Sequence, residues 1–171
     1  MAKHKLSHSN QKRYFARFYL EAIEKAKEDE SVINRKALLA AHQQSCLFHL
    51  MAAYQAFIWE VAQTYDENYA ANQSLNDLLL QARANGKSIP ELERIHGLEL
   101  AEGSWLNQML AVWQQINEVN PDATSKSKES VNLNAIEVRV ISDVDEFAQL
   151  HDWYDNLSAL IEEIRQLLGE W

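Results

Sequence analysis

The stretch ALLAAHQQSCLFHLMAAYQAFIW, residues 37–59, contains no Asp, Glu, Lys or Arg, although 24% of the 171 residues are charged. Its 23 residues would reach across a bilayer, for which about 20 apolar residues suffice. However, His42, Gln43, Gln44, Ser45, His49 and Gln55 interrupt it, and polar groups are costly in hydrocarbon without internal partners. At 100° per residue, Leu39, Cys46, Leu50, Ala53, Phe57 and Val61 fall on one stripe, with Gln44, Gln55 and Trp59 opposite. A wide apolar face of this kind predicts a core helix of a soluble protein, contacted by two or three neighbours.

Working outward, the pattern stays helical. Ser7 or Ser9 can cap a first helix, which carries Gln11, Phe15, Phe18, Tyr19, Ala22 and Ala26 on one expected core stripe and ends at 27–30. The central helix is expected from Ser31 or Asn34 to Tyr65 or Tyr69. A third spans Ser74–Asn85, with Gly86 as its C-terminal cap. Ser88 and Glu91 have capping-box spacing, with Pro90 in the first turn, and open a short helix that ends near His96. A further helix covers Ala101–Asn120, with Trp105, Met109, Trp113 and Ile116 on one face, and Pro121 stops it. Residues 121–143 read as a loop or extended connection, with alternating Ile136, Val138 and Val140 marking an extended segment near 131–141. From Asp143 to Leu168, the residues Phe147, Leu150, Tyr154, Leu157, Ile161, Ile164 and Leu168 recur at spacings of three and four, a seam for packing along long partners. The predicted fold is an all-α, antiparallel bundle of four main helices plus short ones, forming one domain over 1–171.

Composition limits function. The net charge of −9 disfavours nucleic acid as the main partner, because phosphate binding needs a positive footprint. Charge is nonetheless polarised: residues 1–17 carry +5 and residues 137–171 carry −7. Such ends attract each other within the bundle or across a dimer, and the basic arm offers a site for an anionic ligand. A single cysteine cannot form an internal disulfide, and the first 20 residues lack a secretory pattern, so a cytoplasmic location is expected. No membrane span, Gly-rich phosphate loop, Gly-x-Ser-x-Gly elbow or Cys-x-x-Cys pair is read from the chain.

Chemistry-bearing residues are few. His42, Cys46 and His49, at i, i+4 and i+7, project from one helix face and are of the types that zinc takes. A fourth ligand would have to come from His96, His151 or a carboxylate on another helix. The competing reading is a buried thiol between two hydrogen-bonded histidines. Arg35 and His42 could pair a phosphate-holding cation with a proton-transferring imidazole. Glu93 and His96 give one Glu-x-x-His spacing, whereas a di-iron bundle needs two. His4 and His8 lie on a terminal arm. Trp153 and Tyr154, beside Asp152 and Asp155, suggest a partner-binding edge. No catalytic residue, metal or cofactor is assigned.

Three blocks, Asn10-Gln-Lys-Arg-Tyr-Phe-Ala-Arg17, Cys46-Leu-Phe-His-Leu50 and Leu98-Glu-Leu-Ala-Glu-Gly-Ser-Trp105, resemble in the same order a family of short, uncharacterised gamma-proteobacterial proteins, a domain of unknown function. The resemblance implies an intracellular helical protein and supplies no activity. The sequence therefore points to a non-catalytic module that binds another protein or a second copy of itself. The alternative is a metal-dependent or nucleotide- or RNA-processing enzyme using the His42/Cys46/His49 face.

Overall fold

A computed structural model describes residues 8–31, 33–68, 70, 73–117 and 145–169, with side chains in the last segment from 148 onward. The described residues form six α-helices and no strand: α1 (His8–Glu28), α2 (Arg35–Thr64), α3 (Leu75–Ala84), α4 (Pro90–Leu100), α5 (Trp105–Asn117) and α6 (Asp145–Gly169). The all-α reading holds. The expected extended segment at 131–141 lies outside the described residues.

α2, 30 residues and therefore about 45 Å long, is the axis of the structure. Cys46, Leu50, Ala53, Phe57 and Val61 of the expected stripe are fully buried, as are Leu47, Ile58 and Ala62 beside them. Helices α1, α4, α5 and α6 all touch it, which is why so little of its circumference is charged. Among the described residues, no helix is long and apolar enough to cross a membrane.

α1 runs antiparallel to α2: Ser9 meets Glu60 near one end, and the Cys46 thiol donates to the Ala16 carbonyl further along. The stripe that α1 buries is Ser9, Ala16, Leu20, Ile23 and Ala26. This corrects the expected stripe: of its large side chains, Phe15 and Tyr19 are half-buried and Phe18 is 59% exposed. Close approach of two helices favours small residues at the contact, and Ala16 against Cys46 provides it, rolling the aromatic flank outward.

α6 also opposes α1, with Asn10 and Arg13 against Arg165 and Glu162, and Glu24 3.8 Å from His151. Since α1 opposes both, α2 and α6 run in the same direction. Short connections impose antiparallel neighbours, but α3, α4 and α5 lie between these two along the chain, so that constraint is absent. The α6 seam buries Leu150, Leu157, Ile161 and Ile164, with Trp153 and Leu160 added. Trp153 is therefore a core residue and does not form the outer edge expected beside Asp152.

Helix ends differ from expectation at α4. Its N-cap is Ile89, which makes no side-chain cap bond, with Pro90 in the first turn, so the Ser88/Glu91 capping box does not form. α4 passes through Gly97 to Leu100, and the break falls at 101–104, where Gly103 has φ +76° and Ser104 caps α5 through the Asn107 amide. Tyr54 of α2 and Tyr65, its C-cap, fix α4 antiparallel to it: Tyr54 donates to Glu99 at 2.5 Å and Tyr65 to Glu91 at 2.7 Å.

α2 and α3 end alike. Glu67 N–H reaches Ala62 carbonyl, and Lys87 N–H reaches Ala82 carbonyl, both at 2.9 Å, with Asp66 (φ 55°) and Gly86 (φ 73°) in left-handed conformation. The two residues just past those turns then pair, Lys87 Nζ to Glu67 Oε1 at 3.1 Å, and Lys87 also donates to the Tyr65 carbonyl at 2.6 Å. Glu67 is 3% exposed. Hydrogen bonds from Asn85, then Lys87, then Gln81 hold its carboxyl below the usual value of 4.5. A depressed carboxylate stabilises the fold above its ordinary value and loses that contribution as pH falls through the folded value. Denaturant unfolding from pH 6 to 3 is expected to show this loss, with a shallower acid slope in Glu67→Gln.

A polar knot ties α1, α2 and α6 at one end. Arg165 forks onto Glu60, Nε to Oε1 at 3.1 Å and Nη2 to Oε2 at 3.0 Å, and donates to Asn10 Oδ1 at 2.8 Å and Ser9 Oγ at 2.9 Å. Arg13 Nη2 donates to Asn10 at 2.7 Å and to Glu162 at 2.8 Å. The basic start and acidic end of the chain thus meet within one molecule. Arg165→Ala is expected to cost about 1–2 kcal/mol in urea denaturation, since it takes the guanidinium from a partly exposed Glu60 and from Asn10, and Arg165→Ala with Glu60→Ala to cost clearly less than the sum of the two.

Candidate functional site: the aromatic face of the α1–α2 hairpin

The three residues singled out from the sequence part company. Cys46 is fully buried, its Sγ 3.6 Å from the Ala16 carbonyl, and burial pushes its thiol up to about 12. His42 and His49 lie on either side of Tyr19, with ring centroids 5.8 and 5.5 Å away, and His49 is stacked on it at 17°. Among the described residues, no group of three or more His, Cys, Asp or Glu is placed to hold a metal ion. Of the proposed further partners, His96 is bonded to Glu99 through Nδ1 at 3.0 Å, and His151 faces Glu24. Glu93 is paired with Arg83 at 3.1 Å. Arg35 opens α2, two turns before His42, and its Nε is buried without a hydrogen-bond partner. His8 is exposed, and His4 lies outside the described residues.

What the hairpin does assemble is a run of rings. His49 also meets Phe15 (5.3 Å, edge-on) and Phe48 (5.3 Å, edge-on). From these the contacts continue to Tyr14 at 6.3 Å, to Phe18 beside Tyr19 at 5.9 Å, and to Trp113 of α5 at 6.2 Å from Phe48. Edge-on and tilted pairs at these separations are the favoured aromatic geometries. The run begins at the half-buried Phe15, Tyr19 and His49 and ends in solvent: Tyr14, Phe18 and Phe48 are 66%, 59% and 51% exposed. Each of the three touches a ring of the cluster, and large aromatic side chains this exposed are uncommon on a surface that has no partner.

His49 is the hub. Its Nδ1 is buried without a hydrogen-bond partner, and Lys12 Nζ lies 5.8 Å over the neighbouring Phe15 ring. Burial first, and the Lys12 charge second, hold its imidazole below the usual 6.5 and so favour the neutral form. A neutral imidazole within a ring stack packs as another aromatic.

Sequence reasoning found His42 and His49 but not their surroundings. Tyr14 and Phe18, one turn apart, were the available signal, because two aromatics at i, i+4 beside a small-residue stripe indicate an outward flank. A second arrangement was not legible at all: Tyr54, Glu99 and His96 form a hydrogen-bonded chain between α2 and α4, extended by Asn107 donating to the Glu99 carbonyl at 2.7 Å. No spacing rule connects Tyr54 to Glu99.

The chain belongs to the family of unknown function DUF6586, whose pattern matches residues 1–171. No curated protein and no solved structure matches it.

With a thiol value near 12, only about one Cys46 in ten thousand is ionised at pH 8. Native protein is therefore expected to leave a disulfide reagent such as DTNB unreacted at that pH, with one equivalent of thiol appearing only after unfolding in urea.

Proposed function

We propose that this chain is a non-catalytic interaction module of the bacterial cytoplasm, and that the aromatic face of the α1–α2 hairpin is its working surface for another protein. The observation that carries the reading is the joined exposure of Tyr14, Phe18 and Phe48 at the rim of one ring cluster. Aromatic side chains supply large contact area at low entropic cost, and they are enriched where proteins meet. The rings behind them, Phe15, Tyr19 and His49, hold the rim in place, so little ordering remains to be done on association.

The membership in a family of unknown function is compatible with this reading and adds no activity to it. The alternative enzyme on the His42/Cys46/His49 face would require the Cys46 thiol to turn out of the core and ionise, against the burial that raises it. Self-association through the same rings is the second form of the interaction reading, and sedimentation of the purified chain separates the two.

Phe18→Ala and Phe48→Ala remove side chains that are more than half exposed. Their thermal midpoints should stay within about 2 °C of the parent. Each substitution is expected to weaken binding to the protein co-purified with the native chain by at least about tenfold, or about 1.4 kcal/mol, measured by isothermal calorimetry. Undiminished binding in the double variant would remove this face from the function.

A further inference from the structure

The ring cluster has one centre. Phe48 meets His49 directly, Tyr14 reaches it through Phe15, and Phe18 reaches it through Tyr19. Each of the three exposed rings is therefore held to the hairpin by His49 or by a ring that touches it. Histidines are the members of such a cluster that can gain a charge near neutral pH. His42 touches Tyr19, whereas His49 joins Phe15, Tyr19 and Phe48.

The surroundings of His49 accept the neutral ring and resist the cation. A neutral imidazole carries one N–H, and an imidazolium carries an N–H on each nitrogen. Nδ1 is buried with no hydrogen-bond partner among the described residues, so the neutral ring fits with its proton on Nε2 and a bare lone pair at Nδ1. Protonation places a donor there among rings that offer it no acceptor, and a stranded buried donor costs more than a made bond contributes. Stacking on Tyr19 by itself favours a cation. Lys12, with its Nζ over the Phe15 ring that His49 meets edge-on, opposes a second charge beside it. The depression of His49 below 6.5, from burial and then from Lys12, has the same sign. Of the elements that meet in the cluster, α1 contributes Lys12 and the phenols of Tyr14 and Tyr19, α2 adds His42, and α5 (Trp105–Asn117) has no ionisable side chain. No carboxylate is among them to steady an imidazolium.

We propose that His49 is an acid-operated latch of the ring cluster: neutral, it holds the exposed rings against the hairpin, and protonated, it swings out of the stack into solvent and releases them. The movement is short, because His49 is half-buried at the hairpin's flank. As a gate on the working surface, the latch rests on the interaction reading above; as a change in ring order, it needs no partner. The unfolded chain takes up the proton near 6.5 and the folded chain only at lower pH. The stability that the neutral stack contributes is therefore fully present above that value and falls as pH drops through the interval. This window lies above that of Glu67, whose carboxyl is held below 4.5.

The test is NMR of the full, uniformly isotope-labelled chain from pH 7.5 to 5. The histidine ring nitrogens report tautomer and charge, and the ring protons of Tyr19 and Phe48 report stacking. His49 is expected as the Nε2–H tautomer at pH 7.5, with a titration midpoint below 6.5. The Tyr19 and Phe48 ring shifts should collapse toward random-coil values at that same midpoint. His49→Phe keeps a ring and takes up no proton. Its Tyr19 and Phe48 shifts should stay constant down to pH 5.5, and its loss of thermal midpoint between pH 7.5 and 5.5 should be smaller than that of the parent. An Nδ1–H tautomer, a midpoint at or above 6.5, ring shifts that do not follow the titration, or an unchanged acid response in His49→Phe would each overturn the latch. Titration of the native chain decides the matter by itself if the variant does not fold. All of these outcomes leave the interaction reading standing, since binding by the Phe18 and Phe48 variants is measured at pH 7.5.

Discussion

Everything in this structure is arranged around one helix that cannot be left in water. For 23 residues α2 carries no ionised side chain, so most of its circumference must be covered. At roughly 25 cal/mol per Å² of apolar surface removed from solvent, that burial is the dominant favourable term available to the fold. α1, α4, α5 and α6 each take one side of it. Once they do, the remaining elements have little freedom. α3 connects α2 to α4, and its end is tied to the end of α2 through Glu67 and Lys87.

Hydrophobic burial is non-directional, so it does not by itself select which flank of each helix turns inward. The polar contacts at the helix ends supply that selection. Arg165, with four donor contacts to Glu60, Asn10 and Ser9, fixes the register of α1, α2 and α6 at one end. Tyr54 and Tyr65 fix α4 against α2 through two carboxylates. Both sets are charge-assisted or buried enough to matter, since a stranded buried donor or acceptor costs more than a made bond contributes. The aromatic face is a consequence of the same register. With Ala16 set against Cys46, the neighbouring rings of α1 have no room inside and stand at the hairpin's flank, where His49 collects them.

The sequence reading of the third and final helices was close, and the reason is local: Ser74, Gly86 and the α6 seam are signals contained in one or two turns. It was less close for α1 and α4. In α1 the aromatic stripe points to burial, whereas the contact with α2 selects the flank that holds Ala16, Leu20 and Ile23. In α4 the Ser88/Glu91 spacing matched a capping box, yet Pro90 and the packing of Ile89 moved the start by one residue. The candidate residues show the same division. His42 and His49 share a helix face as their spacing requires, but Cys46 between them points into the core because α1 covers that stripe.

The order, type and approximate extent of the helices, and the identity of the helix that had to be buried, were fixed by residue pattern alone, since periodicity and capping are properties of a few consecutive residues. The direction of α6 beside α2, the outward roll of Tyr14 and Phe18, and the joining of Arg165 to Asn10 across 155 positions were decided only by tertiary packing. A helical pattern states how apolar each flank is, but which flank meets a neighbour depends on the size and polarity of side chains that the chain brings alongside from far away.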